Sequence, residues 1–438
     1  LQILNKTTMK KIIYVLLVLV IFAGFGCKKE YINPNAPTQD QVFSSAEGMT
    51  RVIVGIKQRF AVNTLGVAPI FSAITASALS TKEVIVNNAG SASYAQLENG
   101  GNNVAPDNGV VGSLWITTNI INSEAQKLID NSAKLGDVNV KNAIKIYGEL
   151  YKAMSLGTLA QFFEKLPINT GMNATYSTRA EALTKAVQLL DDASMLLGAT
   201  TIPASFTASV GSEIDLKNTL LALSARYNNM LGNNDAAIAK ASAVDLTKKS
   251  VFFYNNTNPN PIYRSIVVQA GNTYGPRANF GLSGSLTPNP ADKRIPFYVI
   301  KNVDNSHGFF LSDATPIPIY LPGEMLLIQA EAYARKNDLV NAKIFLDKVL
   351  TKTPAQDVFG VGADLPPYSG PMTQAALLEE IYKNRSIELY MSGMKLEDSR
   401  RFNRPGPGSA NAERTRNFYP YPQQERDGNP NTPADPTI

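Results

Sequence analysis

"GEMLLIQAEAYARKNDLVNAKIFLDKVL", residues 323–350, sets the frame for the rest of the chain. Apolar residues recur every three or four positions on both sides of Asn337–Asp338, the pattern of two amphipathic helices joined by a tight turn. Tyr333 is the large residue late in the first helix. Ala330, three positions earlier, marks where the helices must come close. Ala342, nine positions after Tyr333, is the small contact on the second helix. Leu346 and Val349 continue the packed stripe, and Pro354 ends the unit because its ring cannot continue a helix. "LALSARYNNMLGNNDAAIAKASAV", residues 221–244, fits the same frame with Leu221, Ala225, a Gly232–Asn233 turn and Ala237.

This spacing resembles the tetratricopeptide repeat. The alternative is a set of generic helical hairpins with alanine at the contact points. The copies are separated rather than tandem, which excludes a regular superhelix. Helical periodicity also runs through residues 44–60, 114–130, 142–163 and 181–197, and residues 61–80 read as a buried helix. The expected fold is all-α dominated, with tetratricopeptide-like helix pairs near 114–165, 181–244 and 323–350. Two stretches break the pattern. Residues 86–113, "VNNAGSASYAQLENGGNNVAPDNGVVGS", are rich in Asn, Gly and Ser and read as loops. Residues 251–322 mix Asn, Pro and Gly with short β-branched and aromatic runs, giving a loop-rich, partly β insertion. Its aromatics (Tyr263, Tyr274, Phe280, Phe297, Tyr298, Phe309, Phe310) argue against disorder. An ordered irregular insertion of this length is usually functional.

At the N-terminus, Met9 reads as the start of a signal. Lys10 and Lys11 precede fifteen uncharged residues, Ile12 to Gly26, which read as the apolar core of a secretory signal. The run is short of the roughly 20 residues that a spanning helix needs. Gly26 stands just before Cys27, the one cysteine among 438 residues. A cut there would make Cys27 the new N-terminus and free it for acylation. The stretch resembles a bacterial lipoprotein signal, departing from it at Gly24 and Phe25. The alternative is an ordinary signal cut nearby, which leaves an unused thiol. The expected organisation is therefore a signal over 1–26, a lipid-anchored tether over 27–43 and a single domain over 44–438.

With one cysteine, intrachain disulfides are excluded, so stability must come from a large core. Residues 1–26 carry three lysines and no acid, and the remainder has a formal charge of +2. No concentrated basic face is suggested, which argues against nucleic acid as a partner and leaves neutral ligands open.

"LLEEIYKNRSIELYMSGMKLEDSRRFNRPG", residues 377–406, resembles the signature region of the SusD/RagB family of outer-membrane nutrient-binding lipoproteins. The match rests on Ile381, Arg385, Glu388, Gly393, Asp398, Arg401 and Phe402, with departures at Asn384, Ser392 and Lys395. "RNFYPYPQQE", residues 416–425, resembles the family's aromatic–Pro–aliphatic–Pro turn, with Tyr421 in the aliphatic place. The usual closing motif is replaced by "DGNPNTP". The helix bearing Trp115 and the stretches 148–167 and 322–351 resemble further family segments in the same order. The resemblance implies an α-rich domain whose irregular portion carries the ligand site. It also implies a partner, a TonB-dependent transporter of the SusC/RagA type, and a location on the outer membrane, facing the cell exterior. The ligand it implies is an oligosaccharide, in some members a peptide.

The residues themselves offer little catalysis. His307 is the single histidine, and HExxH, GxSxG and GxxxxGK[ST] patterns are missing; "GLSGS" at 281–285 has the wrong spacing for a nucleophile elbow. Asp191–Asp192 and Glu379–Glu380 read as solvated helix faces. No metal or cofactor is expected. Sugars present C–H faces and a rim of hydroxyls, which aromatic rings and amides, guanidinium or carboxylate groups can meet. Two stretches supply both: 87–108, with Tyr94, Gln96, Glu98, Asn99 and Asn102, and 263–309, with Tyr274, Arg277, Asn279, Phe280 and His307. From these, Tyr94, Asn99, Tyr274, Arg277, Phe280 and His307 form the expected ligand set. Trp115 reads as core. Two other readings stand beside nutrient capture: a periplasmic scaffold that assembles envelope machinery, and a hydrolase using two carboxylates.

Overall fold

Most of the apolar periodicity becomes helix in a computed structural model that describes residues 38–62, 66–88, 90–269, 271–299 and 305–438. The expected signal, Cys27 and most of the expected tether lie outside these residues. Contacts divide the chain into two units at Val42. In the first, the described part is one short helix, α1 (Gln39–Val42). The second contains all that follows.

Its helices are α2 (Ala46–Ala61), α3 (Pro69–Ser80), α4 (Ala92–Asn99), α5 (Gly109–Ser132), α6 (Val138–Phe162), α7 (Arg179–Gly198), α8 (Ala204–Val210), α9 (Leu216–Leu231) and α10 (Asn234–Ser242). After the irregular region, which includes α11 (Arg294–Tyr298), come α12 (Pro322–Arg335), α13 (Leu339–Leu350), α14 (Gln374–Glu388), α15 (Lys395–Arg401) and α16 (Gln423–Gly428). Side-chain caps fix many of the starts. Asn108 accepts from the Val110 and Val111 amides, Asp137 caps α6, and Thr178 with Glu181 forms a reciprocal capping box on α7. Two expectations change. The apolar run at 61–80 becomes helical only from Pro69, which occupies the first turn, where its missing N–H costs nothing. The Asn/Gly-rich stretch at 86–113 is not all loop, because Ala92–Asn99 forms α4.

α5 packs on α6, α6 on α7, α7 on α9, α9 on α10, α10 on α12, and α12 on α13 and α14, so the helix pairs form a continuous layer. In the last pair, Ala330, Ala342, Leu346 and Val349 are all fully buried. Tyr333 stacks on Phe345 with ring centroids 5.5 Å apart, and Asn337 takes the left-handed conformation that the turn requires (φ 62°). Gly232 does the same in the earlier pair (φ 77°). The all-α-dominated fold with tetratricopeptide-like pairs is therefore the fold that forms.

The interior of the C-terminal part is charged. Arg385 grips Asp398 with two bonds of 2.8 and 3.0 Å. Arg401 grips Glu331 at 2.8 and 2.9 Å and reaches Asp398 at 2.7 Å. Arg294 joins Asp292, Glu388 and Asn384, and Lys352 joins Asp357 and Glu388. These groups are almost wholly out of water. Buried charges survive only when paired and hydrogen-bonded. The residues of the 377–406 motif thus clamp α12, α14 and α15 together.

Among the described residues the strands are short and form three antiparallel two-stranded ladders: β1 (Val84–Val86) with β5 (Tyr274–Pro276), β2 (Lys165–Leu166) with β3 (Ser177–Thr178), and β4 (Val251–Phe252) with β6 (Ile317–Pro318). Among the described residues no helix is long and apolar enough to cross a membrane.

Candidate functional site

α3 ends in a sharp turn at Lys82, whose φ is 60°. The chain then enters β1, which pairs with β5 in the register Val84 to Pro276 and Val86 to Tyr274. Both faces of the turn are crowded. Gly281, at φ 71°, lies so near Lys82 that a Cβ there would sit 1.8 Å from its carbonyl oxygen. That approach requires glycine. Lys395 on α15 donates to the Phe280 carbonyl at 2.9 Å, so the motif helix also holds the loop after β5.

α4 packs against β1. Glu98 accepts from the Val86 amide at 3.2 Å and pairs with Arg277, whose Nε also donates to the Val84 carbonyl at 3.2 Å. Tyr94 meets Tyr274 edge-on, with centroids 5.6 Å apart and an interplanar angle of 78°. Ile85 on β1, Asn87 and Asn88 just after it, and Asn99 at the end of α4 are exposed, and Asn87 Nδ2 donates to the Asn272 carbonyl at 3.2 Å. The result is a small face with a half-buried ring, an ion pair and several amides.

The six expected ligand residues separate into two groups. Tyr94 and Arg277 belong to this face and are half-buried, and Asn99 is exposed at the end of α4. Tyr274 and Phe280 point inward. Tyr274 has no exposed surface and shares a 2.9 Å hydrogen bond with Thr75. Phe280 packs on Tyr390 at 4.8 Å. A ring without exposed surface offers none to a ligand, so these two support the face from beneath. His307 is half-buried and opens the short turn Gly308–Phe310. The neighbouring Asn305 ties that segment to the Tyr274 carbonyl at 2.9 Å. Asn87, Asn88 and Ile85 were not singled out from sequence. The β-branched run Val84–Val86, read with a period of two, would have placed Ile85 outward.

Trp115 is core, as expected. It stacks on Tyr176 at 5.9 Å and donates to Glu425 at 3.0 Å. Tyr421 closes the same box edge-on, so the 416–425 turn is fastened to α5. The adjacent acid pairs have structural partners: Asp191 accepts from Lys240 and Ser224, and Glu380 pairs with Lys383. Among the described residues no three His, Cys, Asp or Glu side chains converge as metal ligands.

Residues 278–436 match the model of the SusD family. Known structures share the fold across nearly the whole chain. A SusD-like carbohydrate binding protein from Bacteroides vulgatus superposes with a TM-score of 0.69 at 15% identity, covering 88% of this chain and 97% of its own. A SusD superfamily protein from Bacteroides fragilis gives 0.65 at 16% identity, covering 89% and 99%. A SusD homolog from Bacteroides thetaiotaomicron gives 0.66 at 13%, covering 92% and 99%. No curated protein matches the chain in sequence. The SusD family's sequence model thus matches the C-terminal third of the chain, and the fold of solved SusD superfamily proteins extends over nearly all of it.

Proposed function

We propose that the protein is a lipid-anchored outer-membrane binding protein that captures a nutrient oligosaccharide and passes it to a TonB-dependent transporter of the SusC type, without cleaving it. The observation that carries this reading is the face made by α4 and the β1–β5 pair. There the half-buried Tyr94 lies on α4 one turn before Glu98, which pairs with Arg277, while Asn87 and Asn88 after β1 and Asn99 at the end of α4 are exposed. A pyranose can lay its C–H face on such a ring while its hydroxyls exchange hydrogen bonds with the amides and the guanidinium. The carbohydrate binding ascribed to a structural neighbour from Bacteroides vulgatus agrees with that chemistry. Anchoring through Cys27 supplies the tether that a membrane-bound partner needs, since a diacylated or triacylated cysteine holds firmly where one chain does not.

Calorimetric titration with a panel of neutral oligosaccharides tests the binding step. We expect one class to bind and Tyr94→Ala to weaken it roughly tenfold, the loss of one aromatic contact with its flanking bonds. A panel that binds nothing, or binding indifferent to Tyr94→Ala and Asn99→Ala, overturns the assignment; binding of a peptide pool instead redirects it. Cys27→Ser is expected to move the protein from the membrane to the soluble fraction. Purification of the native anchored protein is expected to bring a β-barrel transporter with it.

A further inference from the structure

A concavity is built by α2, the turn after α8, and β4 with the turn that follows it. Its volume is about 250 Å³. Pockets for drug-sized ligands run about 300–1,000 Å³, so this one suits a single ring rather than an oligomer. None of the residues lining it belongs to the face described above.

Its chemistry is built rather than incidental. Phe252 stacks on Phe60 at 5.5 Å inside the core, and strand alternation then turns Phe253 outward, where 59% of it is exposed at the pocket wall. Gln58 Nε2 donates to Asn258 Oδ1 at 2.7 Å, so two amides are held side by side at the rim. Lys57 pairs with Glu213 and also donates to the Val210 carbonyl. Tyr151, on α6, completes the lining. It is only 1% exposed, yet its hydroxyl has no hydrogen-bond partner among the described residues. A buried hydroxyl without a partner is costly. An acceptor arriving in the pocket would relieve that cost.

We infer that this pocket is a second ligand site, taking one neutral pyranose residue. The exposed Phe253 ring is the platform, the Gln58–Asn258 amides meet the hydroxyls, and the Tyr151 hydroxyl donates to a sugar oxygen. Neutrality follows from the Lys57–Glu213 pair, in which each charge is already matched. The residues of this site are independent of those in the proposed oligosaccharide face, so either site can fail without the other.

Saturation-transfer NMR on the intact protein tests the inference. The probes are methyl α-glucoside, methyl α-mannoside, methyl β-galactoside and methyl β-xyloside. We expect transfer to at least one, reduced about tenfold in apparent affinity by Phe253→Ala and about fivefold by Tyr151→Phe. The same measurement in a Tyr94→Ala background removes the ring of the first face, and the transfer that remains there should still respond to Phe253→Ala. Tyr151→Phe removes an unpartnered hydroxyl and should melt no lower than the parent without sugar, which separates lost binding from lost folding. No transfer to any probe, transfer untouched by Phe253→Ala and Tyr151→Phe, or transfer abolished by Tyr94→Ala alone would overturn the second site. The last outcome would at the same time support the first.

Discussion

Glu331 and Glu83 are both buried to within 1% of complete removal from water, and their surroundings treat them in opposite ways. Glu331, on α12, accepts two bonds from Arg401 and one each from Arg335 and Asn229. Burial would push its pKa up, but Arg401, Arg385 and Arg335 draw it well below the usual carboxylate range. Glu83, just before β1, accepts from the Met391 amide at 3.2 Å on one oxygen, and its other oxygen has no hydrogen-bond partner among the described residues. Burial pushes its pKa up to about 7 despite the nearby Lys395. The helical clamp has been made rigid by matched charges. The support of the loop face carries a carboxyl that is easier to bury protonated than ionised.

The clamp should break hardest. Arg385→Ala would leave Asp398 without its two-pronged partner and remove a cation from beside Glu331, both still buried. Removing one side of a buried pair typically costs ~3–5 kcal/mol. Denaturant unfolding should show that loss as a lower midpoint. A cost under about 1 kcal/mol would mean the network is solvated and is not what holds α12, α14 and α15 together.

Glu83 should show its difference through pH. Its unfolded pKa is near 4.5 and its folded value about 7. Between these values the native state keeps a proton that the unfolded chain has released. Glu83 therefore contributes stability below pH 4.5, and that contribution is lost as pH rises through about 7. The slope is ~1.4 kcal/mol per pH unit inside the window. Glu149 on α6 is also raised to about 7, chiefly by burial, and adds to the same trend. Only a variant isolates the effect of Glu83. Glu83→Gln keeps the neutral shape and should reduce the stability difference between pH 5 and pH 7.5 by about 2 kcal/mol. Identical pH slopes in parent and variant would show that Glu83 ionises freely. Glu331 works with the other sign: its contribution is present above pH 4.5 and is lost as pH falls toward its depressed value.

The same contrast explains what could be read from sequence. Helix pairs are local, and the spacing of Ala330, Tyr333, Ala342 and Leu346 carries the packing plan within 30 residues. The clamp was visible as a motif, Arg385 through Arg401, but not as a buried network. Its partners Glu331, Arg294 and Lys352 lie tens of residues away on segments whose charges look like solvated faces. The loop face depends on pairing β1 with β5, about 190 residues apart, and no local pattern specifies such a pairing. Aromatics among Asn and Gly suggest a ligand platform at Tyr274 and Phe280, yet the pairing turns Tyr274 inward and the turn after β5 buries Phe280 against Tyr390. In "FFYNN" a period of two sends Phe252 in and Phe253 out, a signal too short to stand above the irregular sequence around it.

The smallest effect sharpens the comparison most. Arg277 and Glu98 form the ion pair of the loop face, with side chains 31% and 19% exposed. Pairs open to water are worth about 0–1 kcal/mol, because solvent screens them and two long side chains must be ordered. Arg277→Ala should therefore lower stability by less than about 1 kcal/mol, far below Arg385→Ala, although both remove one arginine from one carboxylate. If the loop face is the ligand surface, the same variant should weaken oligosaccharide binding by several-fold while the unfolding midpoint barely moves. Arg385→Ala, measured at a temperature where it stays folded, should leave affinity close to the parent's. A large stability loss from Arg277→Ala would instead place that pair in the scaffold with Arg385, and would leave Tyr94 and the exposed amides to recognise the sugar alone.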